Sequence, residues 1–160
     1  MVTNCPAKRA DNGGTENARR ALKVGGGKFM SPDVEPVPDL THVLLVEDEI
    51  HVRNGLAEKL REAGLHVIEA ANADEAWAYL QTGAPVDLMF SDVRMPGSMD
   101  GAELARKVAA DYPRIRVALT SGHTPAVPGG FAFLAKPYGL SRAAKFVMDL
   151  LGKQQNGASA

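Results

Sequence analysis

The run His42-Val43-Leu44-Leu45-Val46-Glu47-Asp48-Glu49 passes from four consecutive apolar residues to three acidic ones. An uninterrupted apolar run this short is too brief for a buried helix and lacks the alternation of a half-exposed strand. It reads as a strand of a parallel sheet covered on both faces. Behind it, Val52, Leu56, Leu60 and Ala63 recur at helical spacing until Gly64 closes the helix. The same grammar repeats down the chain. Leu65 to Ala70 is a second strand, and Asn72 with Glu75 three residues later resembles a capping box before a helix that turns Ala76, Trp77 and Leu80 inward. Gly83 and Pro85 end that helix, and Val86 to Phe90 is the most apolar strand, running into Ser91-Asp92. Asp100 with Glu103 caps a third helix, whose Leu104 and Val108 face the sheet. Ile115 to Thr120 and Phe131 to Ala135 supply two more strands. Leu140 to Leu151 is a last helix with the apolar stripe Ala143, Phe146, Val147 and Leu150.

Strands alternating with helices through short connections imply a parallel sheet with helices on both faces, because right-handed crossovers leave few other packings. The expected domain spans residues 41–152, a doubly wound α/β fold, with residues 153–160 as a flexible tail. Residues 1–40 read as a disordered extension, since Gly13, Gly14, Gly25, Gly26 and Gly27 with few large apolar residues cannot offset the entropy of ordering. The Gly25–Lys28 run also reads as a translated purine-rich ribosome-binding stretch, which would make Met30 the biological start; the nucleotides of the gene check this. Net charge is −1 overall, with +4 in residues 1–30 and therefore −5 beyond. The basic segment has Phe29 as its one aromatic and no sustained apolar face, so neither nucleic acid nor a membrane surface is expected as a partner. No stretch approaches the roughly 18 apolar residues of a membrane span, and no apolar signal core is present, which predicts a cytoplasmic protein. Cys5 stands alone, so no disulfide and no cysteine metal site is expected.

In open parallel sheets, ligands bind beyond the carboxyl ends of the strands. There this chain presents Glu47 and Asp48, Asp92, Thr120 and Ser121, and Lys136 before Pro137. Clustered carboxylates repel one another unless a cation neutralises them, and a hard divalent metal is the natural occupant. Mg²⁺ fits best, because it takes one or two carboxylates and keeps the remaining positions for water and a phosphoryl oxygen. A carboxylate beside such a metal and a lysine can attack phosphorus, a reaction that chiefly requires positioning and charge neutralisation. Blander readings stand beside these: Glu47 and Asp48 as helix caps, Asp92 and Ser121 as turn formers, Lys136 as a solvated lysine. His42, His51, His66 and His123 form no metal-ligand pattern, although His123 and Arg94 fall on loops that could flank the Asp92 carboxylate.

In order along the chain, Val46-Glu47-Asp48-Glu49, Asp92-Val93-Arg94-Met95-Pro96 followed by Asp100-Gly101, Thr120-Ser121-Gly122 and Lys136-Pro137-Tyr138 resemble the response-regulator receivers of two-component signalling. The resemblance covers about residues 42–151. It implies a flavodoxin-like strand order 2-1-3-4-5. It makes Asp92 the phosphoacceptor, fed by a histidine kinase or phosphotransfer protein. It gives Mg²⁺ to Asp48, Glu47, Asp92 and the Arg94 backbone carbonyl, and sets Lys136 against a phosphoryl oxygen. Ser121 becomes the switch hydroxyl, with Thr120 as its rival, and Phe133 the switch aromatic. Phosphorylation would then shift a two-state equilibrium and change a protein-binding face, with a second copy of the chain as a candidate partner. Such a module is not an enzyme in its own right. One departure stands out: between Ser121 and Lys136 the family places a helix, and here Pro125, Pro128, Gly129 and Gly130 oppose one. A fourth helix that is short or missing is expected. Nothing after Gly152 is long enough for a DNA-binding effector. Two other functions compete: an aspartate-nucleophile phosphatase, whose paired aspartates would follow the first strand, and a receiver-fold binding module that works without phosphorylation.

Overall fold

The computed structural model describes residues 40–122 and 130–155. Its elements run β1 (His42–Val46), α1 (Ile50–Glu62), β2 (His66–Ala70), α2 (Ala73–Gln81), β3 (Leu88–Asp92), α3 (Gly101–Asp111), β4 (Arg116–Ser121), β5 (Ala132–Ala135) and α4 (Leu140–Gln155). The five strands form one sheet in the order β2-β1-β3-β4-β5, with every neighbouring pair parallel. This is the flavodoxin-like order that the resemblance implies.

Alternation along each strand divides the core into two layers. Val43, Leu45, Leu88, Phe90, Ala118 and Leu134 meet Leu56, Ala57 and Leu60 of α1 and Ala143, Val147 and Leu151 of α4 on one face. Leu44, Val46, Met89 and Leu119 meet Ala73, Ala76 and Leu80 of α2 and Leu104, Ala105 and Val108 of α3 on the other. Each large side chain buried this way contributes roughly 1.5–3 kcal/mol. Because Val43–Val46 of β1 and Leu88–Phe90 of β3 are buried from both sides, they read as unbroken apolar runs, which is why these strands were legible.

Several ends differ from expectation. Val86 stays outside β3, whose ladder begins where Asp87 bonds His42 and Arg116 through its backbone. At its far end β3 continues through Ser91 to Asp92, and β4 through Ser121, so both chemistry-bearing residues are held by the sheet itself. Helix α4 passes Gly152 and runs to Gln155, beyond the expected end of the domain. The extension before residue 40 and the segment 123–129, where a short or missing helix is expected, lie outside the described residues; among those described there are four helices. No described helix is long and apolar enough to cross a membrane.

Candidate phosphoacceptor and metal site

Glu47 leaves β1 with its backbone secured on both sides. Its N–H donates to the Ala70 carbonyl at 3.1 Å, and its own carbonyl accepts from Arg53 Nη1 at 2.7 Å. Asp92 closes β3 under comparable control. The Val93 N–H donates to Thr120 O at 2.9 Å, and the Ser91 hydroxyl donates to Asp92 O at 2.9 Å. Gly101, the first residue of α3, packs so closely that a Cβ built there would stand 1.8 Å from Asp92 O. Lys136 follows β5, its N–H donating to Ser121 O at 2.9 Å, ahead of a cis bond to Pro137.

These three strand ends converge. Lys136 Nζ donates to Glu47 Oε2 at 3.0 Å and to Asp92 Oδ2 at 2.5 Å, tying β5 to β1 and β3. The remaining oxygens are directed by backbone amides: Glu49 N–H donates to Glu47 Oε1 at 3.3 Å, and Arg94 N–H to Asp92 Oδ1 at 3.1 Å. Carboxylate oxygens of Glu47, Asp48 and Asp92 lie within 4.8 Å of one another. Glu47 and Asp92 are buried, at 3% and 8% exposure, whereas Asp48 faces solvent. Burial pushes the Glu47 carboxyl above its ordinary value, against the opposing pull of the Lys136 ammonium. Burial also works against the charge on Lys136, but its hydrogen bonds and charge contacts with Asp92 and Glu47 outweigh this and hold the ammonium well above the usual lysine value.

The donor set suits a hard divalent cation. Three carboxylates against one ammonium leave two negative charges, which one such ion would neutralise, and all the donors are oxygens. The cap reading of Glu47 and Asp48 fails, because the residue capping α1 is Glu49, which makes no side-chain cap bond, while the Glu47 side chain turns to Lys136. Lys136 is likewise no free surface lysine.

Thr120 and Ser121, at the end of β4, are buried. The Thr120 hydroxyl donates to Leu134 O at 2.8 Å, committing it to the neighbouring strand. Ser121 pairs in register with Ala135, one residue from Lys136. Phe133 pairs with Leu119 and is half-buried at the sheet edge, against the α2/α3 layer. The Arg94 side chain is exposed, and His123 lies outside the described residues. Beside the carboxylates a cavity of about 300 Å³ opens between α1 and the β5–α4 connection, lined by Glu49, Val52, Lys136 and Tyr138 among others.

Two contributors were given no role in the sequence reading. Arg53 joins the Glu47 carbonyl to Glu69 of β2, with Nε 3.6 Å from Glu69 Oε2. Tyr138 lines the cavity with its hydroxyl buried, and burial pushes its phenol up. Arg53 offered no signal, since its partners lie on or beside strands distant in sequence; Tyr138 was quoted in the Lys136-Pro137-Tyr138 motif but given no role of its own.

An open, doubly wound α/β domain with paired acids and a lysine at the carboxyl ends of its strands defines a small class of phosphoryl-handling folds. Residues 43–146 match the family described as the response regulator receiver domain, and the chain belongs to that family. It is 39% identical over 133 residues to the sensor kinase CckA of Brucella abortus (strain 2308), covering 76% of this chain and 14% of that protein. It is 35% identical over 83 residues to the response regulator receiver protein CpdR of the same organism, covering 52% of this chain and 68% of that protein. The crystal structure of the receiver domain from hybrid histidine kinase CckA superposes with a TM-score of 0.59 at 37% identity, covering 68% of this chain and 96% of that one. The chain spans only 14–54% of the length of several curated relatives it matches.

Proposed function

We propose that this receiver domain accepts a phosphoryl group on Asp92 from a histidine kinase or phosphotransfer protein and passes its state on through changed protein contacts. The observation that carries the reading is the Lys136 ammonium set between Asp92 and Glu47, with Asp48 alongside. In the transfer, an Asp92 carboxylate oxygen forms a bond to phosphorus as the bond to the donor's nitrogen breaks. Lys136 neutralises a phosphoryl oxygen as a compact point charge. Glu47, Asp48, Asp92 and the Arg94 carbonyl would hold Mg²⁺, which when bound supplies charge neutralisation for the phosphoryl oxygens.

Ser121 is the switch hydroxyl in this reading, supported by its place at the carboxyl end of β4, in register with Ala135 and one residue from Lys136. Phe133, half-buried on an edge strand, is the aromatic that would repack behind it. Stand-alone action finds support in the similarity to CpdR, matched over two thirds of its length. A cognate kinase or phosphotransfer protein and a second copy of the chain are the partners to look for, with no catalysis beyond gain and loss of the chain's own phosphoryl group. Purified protein incubated with Mg²⁺ and acetyl phosphate is expected to gain one phosphate by intact mass, with no gain for Asp92→Asn or without the metal. Wild type that gains nothing, even from candidate kinases, and binds its partners equally well as Asp92→Ala would favour a phosphorylation-independent module instead.

A further inference from the structure

The connection between β3 and α3 carries Arg94, whose amide orients Asp92 and whose carbonyl the proposed function assigns to Mg²⁺. Its ends are well secured. Gly101 N–H donates to Val93 O at 2.9 Å, Asp100 and Glu103 cap α3 reciprocally, and Met95 and Met99 pack against the α2/α3 layer. The exposed tip, Gly97-Ser98, is tied instead to another element. Asp74 in the first turn of α2 accepts from the Ser98 N–H at 3.1 Å through Oδ2 and from the Ser98 hydroxyl through Oδ1. Gly97, at φ +138°, makes room for this: a Cβ there would meet Asp74 Oδ2 at 2.8 Å. The Ser98 hydroxyl and amide also hold the Asp74 carboxyl below the usual carboxylate range, as expected for an acceptor used in its charged form. Asp74 itself stands on firm ground, since Asn72 Oδ1 accepts from Glu75 N–H at 2.8 Å and Glu75 accepts from Ala71 N–H at 2.8 Å.

We infer that Asp74 is a positioning residue for the metal site: its two-point clamp on Ser98 fixes the loop that carries Arg94. The inference rests on the proposed function. A loop fixed in advance loses less freedom when its carbonyl engages an ion, so the clamp acts on affinity for the ion and leaves the chemical step alone. It also makes α2 the element through which loop and site are braced.

The test compares wild type, Asp74→Ala, Asp74→Asn and Ser98→Ala in three readouts: Mg²⁺ binding by calorimetric titration, amide exchange of residues 94–99, and phosphorylation by acetyl phosphate across Mg²⁺ concentrations. Asp74→Ala is expected to weaken Mg²⁺ binding by about tenfold, the low end for residues that orient metal ligands. Loop exchange should quicken, and the rate at saturating Mg²⁺ should stay within about twofold, the signature of lost binding with intact chemistry. Asp74→Asn keeps an acceptor oxygen and should recover most of the affinity; Ser98→Ala, which keeps the amide bond, should fall between. Unchanged affinity and exchange in Asp74→Ala, with wild type binding Mg²⁺ and gaining phosphate, would overturn the clamp and leave the site reading intact. A fall in affinity matched by an equal loss of global stability in urea would overturn it as well. Wild type that neither binds Mg²⁺ nor gains phosphate would overturn the site reading, and the clamp with it.

Discussion

Glu47 and Lys136 each hold a charge that water would stabilise better, and each persists because the other is there. Removing the ammonium in Lys136→Ala leaves two buried acids without a counter-ion. We expect a loss of about 1–3 kcal/mol in urea unfolding at neutral pH, reduced from the figure for a fully buried pair because Lys136 is a quarter exposed. Glu47 has its own pH signature. Its folded value lies above the ordinary 4.5, so the folded chain holds that proton to higher pH than the unfolded chain. The associated stability is full below the ordinary value and is lost as pH rises through the raised one. The stability of wild type relative to Glu47→Gln should therefore decline with rising pH across that window, and a flat difference would contradict it. Gly101 makes a steric prediction. In Gly101→Ala the new Cβ would collide with Asp92 backbone, so a destabilisation at the upper end of the roughly 1–3 kcal/mol of overpacking is expected, together with slower phosphoryl acceptance. Asp100-Gly101 was visible in the sequence as a motif, but the reason for the glycine is a contact with a strand nine residues earlier.

Among the elements, those with chemical punctuation were the most legible. Asn72 with Glu75 and Asp100 with Glu103 announced α2 and α3; the Asp100 box is reciprocal, whereas Asn72 accepts from Glu75 N–H and the Glu75 side chain reaches back to Ala71 N–H instead. Asp100→Ala should cost about 1 kcal/mol by chemical denaturation. Helix α1 has no such cap and was found by its apolar spacing instead. Its Gly55 touches α4, where an added Cβ would approach Leu140 Cδ1 at 2.7 Å. That atom ends a flexible side chain, and alanine gains about 1 kcal/mol of helix propensity over glycine. Gly55→Ala should thus lie within about 1 kcal/mol of wild type, in contrast to Gly101→Ala. Strand ends were harder to see: the apolar run at Val86 overstated β3 at its start, because hydrophobicity does not report where a ladder hydrogen bond begins.

For the molecule as a whole, alternation of strands and helices established a parallel sheet, but the order of the strands came from the family resemblance, since local sequence carries no record of which strand lies beside which. The site residues could be shortlisted because a parallel sheet brings every carboxyl end to one edge. The braces around them, Arg53 to Glu69 and Asp74 to Ser98, could not, because each joins segments that local periodicity treats as independent. Two apolar layers share β1 and β3, so Phe90→Ala, emptying a side chain 1% exposed, should cost about 3–5 kcal/mol and weaken the whole domain.

Strand β5 has four residues and, among the described residues, a single neighbouring strand, β4, yet it delivers Lys136 to the site and carries Phe133 at the edge of the sheet. Edge segments open at lower free energy than a doubly buried centre. As a sample warms, the amides of Ala132–Ala135 should become exchangeable while those of β1 and β3 remain protected, and phosphoryl acceptance should decline before the helical signal does. The domain would then carry its own thermal fuse, deaf to its kinase in a band of temperature where it is still folded.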